Sequence, residues 1–299
     1  MKTTIEWTDR TWNPIRGCTL VSAGCENCYA MRQAHRFSSV GAPYEGLTDI
    51  GPQGPRWTGK IRLVPELLHE PLRWKKPCRV FVNSMSDLFH KDVPLEFLLR
   101  IWDVMASATV ACEAKHVHKK QCWSGLSHTF QILTKRPDRM RQVLSKLPAL
   151  ASEYLSGESP LARAIKVGHW PLPNVWLGVS VEHQMTAAAR LPVLLQTTAA
   201  VRFVSAEPLL GSIDLAGYLR PDETQGLDWV IVGAESGPRA RLCDLRWIQS
   251  IVRQCRQAAV PCFVKQVGPR YGFRDRKGGD PSEWPPALLV RQWPTTPER

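Results

Sequence analysis

The sequence has no run of eighteen apolar residues, so no membrane-spanning helix is expected and no membrane partner is proposed from it. Its first residues, MKTTIEWTDRTW, have no basic segment followed by an apolar stretch, so a secretory leader is not expected either. Acid is the scarcer charge. Lys and Arg number 39 against 27 Asp and Glu, a formal net charge of +12. That surplus points to a polyanionic partner, with nucleic acid first and acidic small molecules second. The bland alternative is a basic protein that needs its charge only for solubility. No internal repeat is visible, and the glycine-rich GxGxxG turn of a dinucleotide-binding sheet is missing. The nearest match, Gly233 to Gly237 (GAESG), has the wrong spacing. Cysteine, by contrast, is present nine times. The odd number argues against a disulfide framework and for a reducing, cytoplasmic setting. Tryptophan is also plentiful at twelve, mostly as expected core, with a few rings available to stack on bases.

Short apolar runs end repeatedly in polar residues. RVFVNS (79–84) leads to Met85, Ser86 and Asp87, and TFQILT (129–134) leads to Lys135 and Arg136. VWLGVSV (175–181) ends at Glu182, VRFVS (201–205) at Ala206 and Glu207, and WVIVG (229–233) at Ala234 and Glu235. CFV (262–264) leads into Lys265 and Gln266. Continuous apolar runs suit parallel strands buried on both faces. Helical patterns over 95–106 and 247–259 alternate with them. The fold class is therefore α/β, a partial or full (β/α) barrel in one domain with loop insertions, with function expected at the C-terminal strand ends. A doubly wound open sheet is the alternative. Residues 41–60, 112–127, 150–174 and 269–283 read as loops or insertions. The barrel is placed at 1–267, with a basic insert near 112–127 and an accessory tail over 268–299.

The sharpest motif is Gly17 to Tyr29, GCTLVSAGCENCY, which sets Cys18, Cys25 and Cys28 at C-x6-C-x2-C. Thiolates this dense suit zinc or an iron–sulfur cluster. Gly17 and Gly24 let the backbone wrap closely. Three ligands leave a coordination position open, as a catalytic cluster requires. The competing readings are a zinc site, with Cys78 or a histidine as fourth ligand, and buried cysteines in a tight turn. The other cysteines form no second C-x2-C pair. Cys112, His116, His118 and Cys122 give C-x3-H-x-H-x3-C inside the basic insert, either a small zinc site or a solvated loop.

The opening segment IEWTDRTWNPIRGCTLVSAGCENCYA resembles a phage- and prophage-associated family of three-cysteine, radical-SAM-like proteins. FVNSMSDLFH (81–90), FQILTKRPDRM (130–140), WLGVSVE (176–182), RFVSAEPLLG (202–211), WVIVGAESG (229–237) and FVKQVG (263–268) extend the resemblance over most of the chain. It departs from the usual C-x3-C-x2-C pattern by three residues between the first two cysteines. It also places Tyr29 after the last cysteine, where the usual aromatic precedes it.

The resemblance implies a radical SAM barrel with a [4Fe–4S] cluster on Cys18, Cys25 and Cys28. S-adenosylmethionine (SAM) would be bound to the fourth iron and cleaved to a 5′-deoxyadenosyl radical that abstracts hydrogen. It places Ser84, Ser86 and Asp87 near the methionine ammonium, and Ser180 and Glu182 near the ribose or carboxylate. Glu207 and Glu235 would face the barrel mouth. Lys135, Arg136, Lys265 and Gln266 are candidate substrate contacts. Lys135 and Arg136 read equally well as a solvated basic turn. The phage setting and the positive charge together point to a base in DNA, such as an amino-acid-decorated thymine, and to an isomerase or mutase. An electron donor such as flavodoxin or ferredoxin is implied. The cell would be a bacterium or a phage-infected host. A radical SAM enzyme acting on a small molecule or peptide, and a non-catalytic zinc-dependent nucleic-acid binder, are the alternatives.

Overall fold

The computed structural model describes residues 3–113, 127–219, 226–269, 271–275 and 277–295. Seven strands form one parallel sheet: β1 (Arg10–Trp12), β2 (Arg79–Val82), β3 (Thr129–Thr134), β4 (Val175–Val181), β5 (Val201–Ala206), β6 (Trp229–Gly233) and β7 (Cys262–Gln266). Each strand lies beside its predecessor in the chain, so the order never reverses. That removes the doubly wound alternative, whose ligand crevice depends on such a reversal. The sheet curls into a half-barrel, and β1 and β7 are not paired with each other, so the barrel is partial.

Side chains alternate across the curled sheet, and both faces are apolar. The outer face packs Val80, Val82, Phe130, Ile132, Leu177 and Val230 into the main core with the helices. These are α1 (Tyr29–His35), α2 (Leu95–Glu113), α3 (Pro137–Tyr154), α4 (Pro160–Lys166), α5 (Gln184–Leu195) and α6 (Leu245–Gln257), of which the short α1 packs in a separate cluster beside Cys18 and Cys28. The inner face carries a separate aromatic cluster of Trp7, Phe81, Trp176, Phe203, Trp229 and Phe263. Gly178 belongs to this face, because a Cβ there would stand 2.5 Å from the Phe203 ring. Two apolar faces explain why the strands read as unbroken apolar runs.

Several boundaries differ from the sequence expectation. β1 is only three residues long and has no apolar run to announce it. Its Trp12 is fully buried and donates through Nε1 to the Leu67 carbonyl at 2.8 Å. Residues 41–60 contain a hairpin, Thr48–Gly51 with Gly54–Trp57, rather than a plain loop. Residues 150–174 contain the end of α3 and all of α4, which starts where Ser159 Oγ accepts from Ala162 N at 3.2 Å. Past residue 268, Trp284 and Leu288 are buried in the main core, and Val264 N donates to the Val290 carbonyl at 2.8 Å. Gln292 N donates to the Cys262 carbonyl at 2.9 Å, so this segment pairs along the outer edge of β7, and Trp293 Nε1 donates to the Trp7 carbonyl at 3.2 Å. Among the described residues no helix is long and apolar enough to cross a membrane.

Candidate functional site

The loop after β1 folds back across the C-terminal ends of the other strands. Gly17 starts it with φ of +87°, bridged to Ser86, where a side chain would press on the Lys60 backbone. The loop and the strand ends enclose a cavity of about 200 Å³ that opens to solvent. Cys18, Cys25 and Cys28 all line it, with Ser84, Ser86, Asp87, Ser180, Glu207 and Glu235 across the strand ends, and with Trp7 and Phe81 also in its wall.

The three cysteines are free thiols facing one cavity. Burial pushes the Cys18 thiol up to about 12, with Asp87 and the other two cysteines adding to the effect and Arg136 opposing it. Burial likewise raises Cys28. Such thiols need a cation beside them before they ionise. Among the described residues no three His, Cys, Asp or Glu side chains are yet drawn together around an ion position. In donor type and in sharing one cavity, the three thiols fit an iron–sulfur cluster. Of the fourth zinc ligands that the sequence offers, Cys78 or a histidine, Cys78 does not fit. Cys78 precedes β2, at the other end of the sheet, where its Sγ lies 3.4 Å from His128 Nδ1.

Three of the expected cofactor acids hold the cysteine loop itself. Glu182 is fully buried and is not part of the cavity wall. It accepts from Ser22 Oγ at 2.8 Å and pairs with Lys135 at 3.4 Å and Arg190 at 3.3 Å. Burial alone would raise its pKa, but the two cations outweigh burial and keep it below the usual carboxylate value. Gly24 rests on Glu182 so closely that a Cβ there would stand 2.6 Å from the Glu182 Cγ. Glu235 accepts from Asn27 Nδ2 at 3.0 Å and pairs with Arg241 at 2.6 Å. Burial is again outweighed, here by Arg241 and Asn27, so its pKa is lowered. Arg241 also reaches the Ala23 carbonyl at 2.8 Å and Glu26 at 2.8 Å. Asp87 pairs with Arg136 at 2.7 Å and accepts from Thr134 Oγ1 at 2.7 Å. Arg136 in turn donates to Thr19 and approaches Cys18 Sγ at 4.0 Å.

The remaining candidates divide in the same way. Ser84 Oγ donates to Asn13 at 3.2 Å, and Ser86 Oγ to the Ile15 carbonyl at 2.9 Å, so both tie β1's loop to β2. Ser180 Oγ donates to the Glu207 carbonyl at 3.0 Å and meets Lys135 Nζ at 2.5 Å. Lys135 and Arg136 are thus not a solvated turn. Glu207 and Lys265 pair with each other inside the cavity. Gln266 lies outside the cavity wall, buried, with its amide on the Ala234 carbonyl at 2.7 Å. Side chains alternate along β7, so Lys265 and Gln266 cannot both face inward. Ser22, Asn27, Tyr29, Asn83 and Arg241 belong to the site but carry no motif of their own. Tyr29 OH donates to the Ser84 carbonyl at 2.6 Å. Cys112 falls in the last turn of α2, whereas His116, His118 and Cys122, together with Lys115, Lys119 and Lys120, lie outside the described residues.

A family model described as a protein of unknown function, DUF5131, matches residues 2–280. The chain belongs to the DUF5131 family. No curated protein and no solved structure matches it.

Proposed function

We propose that this DUF5131 chain is a radical SAM-type enzyme, with Cys18, Cys25 and Cys28 as ligands of a [4Fe–4S] cluster and SAM in the cavity beside them. The observation that carries the reading is that three thiols from one loop line a single open cavity at the C-terminal mouth of a parallel half-barrel. When bound, cluster and SAM supply a 5′-deoxyadenosyl radical, with the electron coming from a donor such as flavodoxin or ferredoxin. The chain's own residues do the rest. Asp87, Glu182 and Glu235 hold the thiol-bearing loop in place through Arg136, Ser22 and Asn27. The inner aromatic cluster packs the inner face of the half-barrel with apolar side chains. Glu207 and Lys265 are the charged groups left to orient a bound molecule.

The substrate we favour is a base in nucleic acid, such as an amino-acid-decorated thymine in phage DNA, rearranged by hydrogen abstraction in an isomerase or mutase reaction. The net charge of +12 supports a polyanionic substrate.

Anaerobic reconstitution with iron and sulfide, followed by SAM and dithionite, tests the chemistry. We expect a brown protein that releases 5′-deoxyadenosine. Cys18→Ala, Cys25→Ala and Cys28→Ala should each abolish that release, and Cys255→Ala should not. A colourless protein holding one zinc, or a Cys25→Ala protein that still cleaves SAM, would sink the proposal.

A further inference from the structure

The mouth of the cavity is lined by charges that are already paired. Deeper in, Asn83 is 2% exposed and lines the cavity, yet neither its Nδ2 nor its Oδ1 has a hydrogen-bond partner. Trp7 is also 2% exposed and lines the cavity, and its Nε1 is unpartnered too. Buried donors and acceptors are rarely left unpaired in this way without something to receive them.

The Asn83 amide is held by its backbone. Asn83 takes φ of 59°, the left-handed region that Asn tolerates better than most residues. Its N–H donates to the Trp12 carbonyl at 2.7 Å and its carbonyl accepts from Ser86 N at 3.2 Å. The Trp7 and Phe81 rings stand 4.7 Å apart beside it, and both border the cavity.

We infer that Asn83, Trp7 and Phe81 form a nucleobase subsite at the inner end of the cavity. A side-chain amide offers one donor and one acceptor in a plane and matches a heterocycle edge that presents an acceptor beside a donor. Adenine and the uracil or thymine edge both meet that requirement. The Trp7 N–H can serve a further ring acceptor, and the edges of the two rings give the subsite an apolar wall. The base belongs either to SAM or to the nucleic-acid substrate. In its substrate form, the inference rests on the function proposed above.

The test is calorimetric titration of the full-length chain, as isolated and after reconstitution. The probes are adenosine, N6,N6-dimethyladenosine, uridine and N3-methyluridine. Adenosine or uridine should bind, and its methylated analogue, which lacks the donor, should bind about tenfold or more weakly. Asn83→Gly keeps the backbone conformation and should show a similar loss. Asn83→Asp, which cannot donate, should show it as well. Displacement of the nucleoside by S-adenosylhomocysteine assigns the base to SAM, and simultaneous binding assigns it to the substrate. Either result supports the subsite. No nucleoside binding to the wild-type chain overturns it, as does equal binding of the methylated analogues or undiminished binding by Asn83→Gly. If Asn83→Gly does not fold, the wild-type comparison of methylated and unmethylated probes still decides. Nucleoside binding without any release of 5′-deoxyadenosine would remove the radical chemistry and leave the subsite standing.

Discussion

At the scale of single residues, the carboxylates at the strand ends hold the thiol-bearing loop. Asp87, Glu182 and Glu235 reach it through Arg136, Ser22 and Asn27. An account in which Asp87 and Glu182 serve only SAM predicts that neutralising them weakens SAM binding and spares bound iron. The contacts predict otherwise. Glu182→Gln leaves Lys135 and Arg190 without their buried counter-charge. Breaking such a pair typically costs about 3–5 kcal/mol. The variant should melt earlier and retain less iron after reconstitution. Normal iron content with weakened SAM binding would return Glu182 to a cofactor-binding role. Gly24→Ala is a second probe of the same contact, because its new Cβ collides with Glu182. Iron content should fall, whereas Gly157→Ala, with nothing within 4 Å of its new Cβ, should retain it.

At the scale of elements, the inner layer of the sheet depends on alternating large and small residues. Gly178 on β4 makes room for Phe203 on β5. Gly178→Ala overpacks that layer and should cost roughly 1–3 kcal/mol, read as a lower thermal midpoint. At the start of β3, His128 packs edge-on against Trp74 and Phe130 and contacts the Pro71 carbonyl at 3.1 Å. Burial lowers its pKa from the ordinary 6.5, and burial lowers that of His90 as well. Below that ordinary value the unfolded chain therefore binds more protons than the folded one. Their contribution to stability is complete above 6.5 and is lost as pH falls through 6.5 toward the lowered folded values. The thermal midpoint should drop between about pH 7.5 and about pH 5.5. His128→Gln should show a smaller drop, and an equal one would place the sensitivity elsewhere.

At the scale of the whole molecule, the question is where a polyanion would lie. Arg270, Arg274 and Arg276 form one basic cluster after the last strand. Arg274 is paired with Glu283 at 3.0 Å, and Arg270 and Arg276 lie outside the described residues. Arg16 and Arg62 face each other across a two-stranded ribbon, immediately before the cysteine loop. Both donate to the Pro43 carbonyl, and neither has a carboxylate partner among the described residues. Like charges set opposite each other are unfavourable unless an anion joins them. If the partner is nucleic acid, Arg16→Ala with Arg62→Ala should make the slope of log affinity against log salt shallower by about 2 on duplex DNA. Arg274→Ala should change it little. An unchanged slope in the double variant would move the interface away from this ribbon.

The parallel sheet was legible because its strands are buried on both faces, and β3, β4 and β6 have the ends that their apolar runs suggest. The C-x6-C-x2-C spacing is equally local, because all three thiols sit on one loop, so their sharing of a cavity needed no distant partner. β1 was not legible, since three residues make no pattern and its stability comes from β2. Nor were the roles of the acids. A strand-end carboxylate looks the same whether it faces a ligand or an arginine, and the partners here lie far off in the chain, as Ser22 does from Glu182 and Asn27 from Glu235. Lys265 and Gln266 both follow an apolar run, and only the pleat of β7 decides that one lines the cavity and the other does not. Asn83 is the same kind of case. Its left-handed backbone and its unpaired amide arise from the packing of β1 against β2, and no residue type in the sequence announces either. Sequence determined the chain's periodicity and its local ligand spacing, because both are set by neighbours along the backbone. Tertiary structure decided which polar groups were already satisfied and which were left open, because that depends on contacts between distant segments.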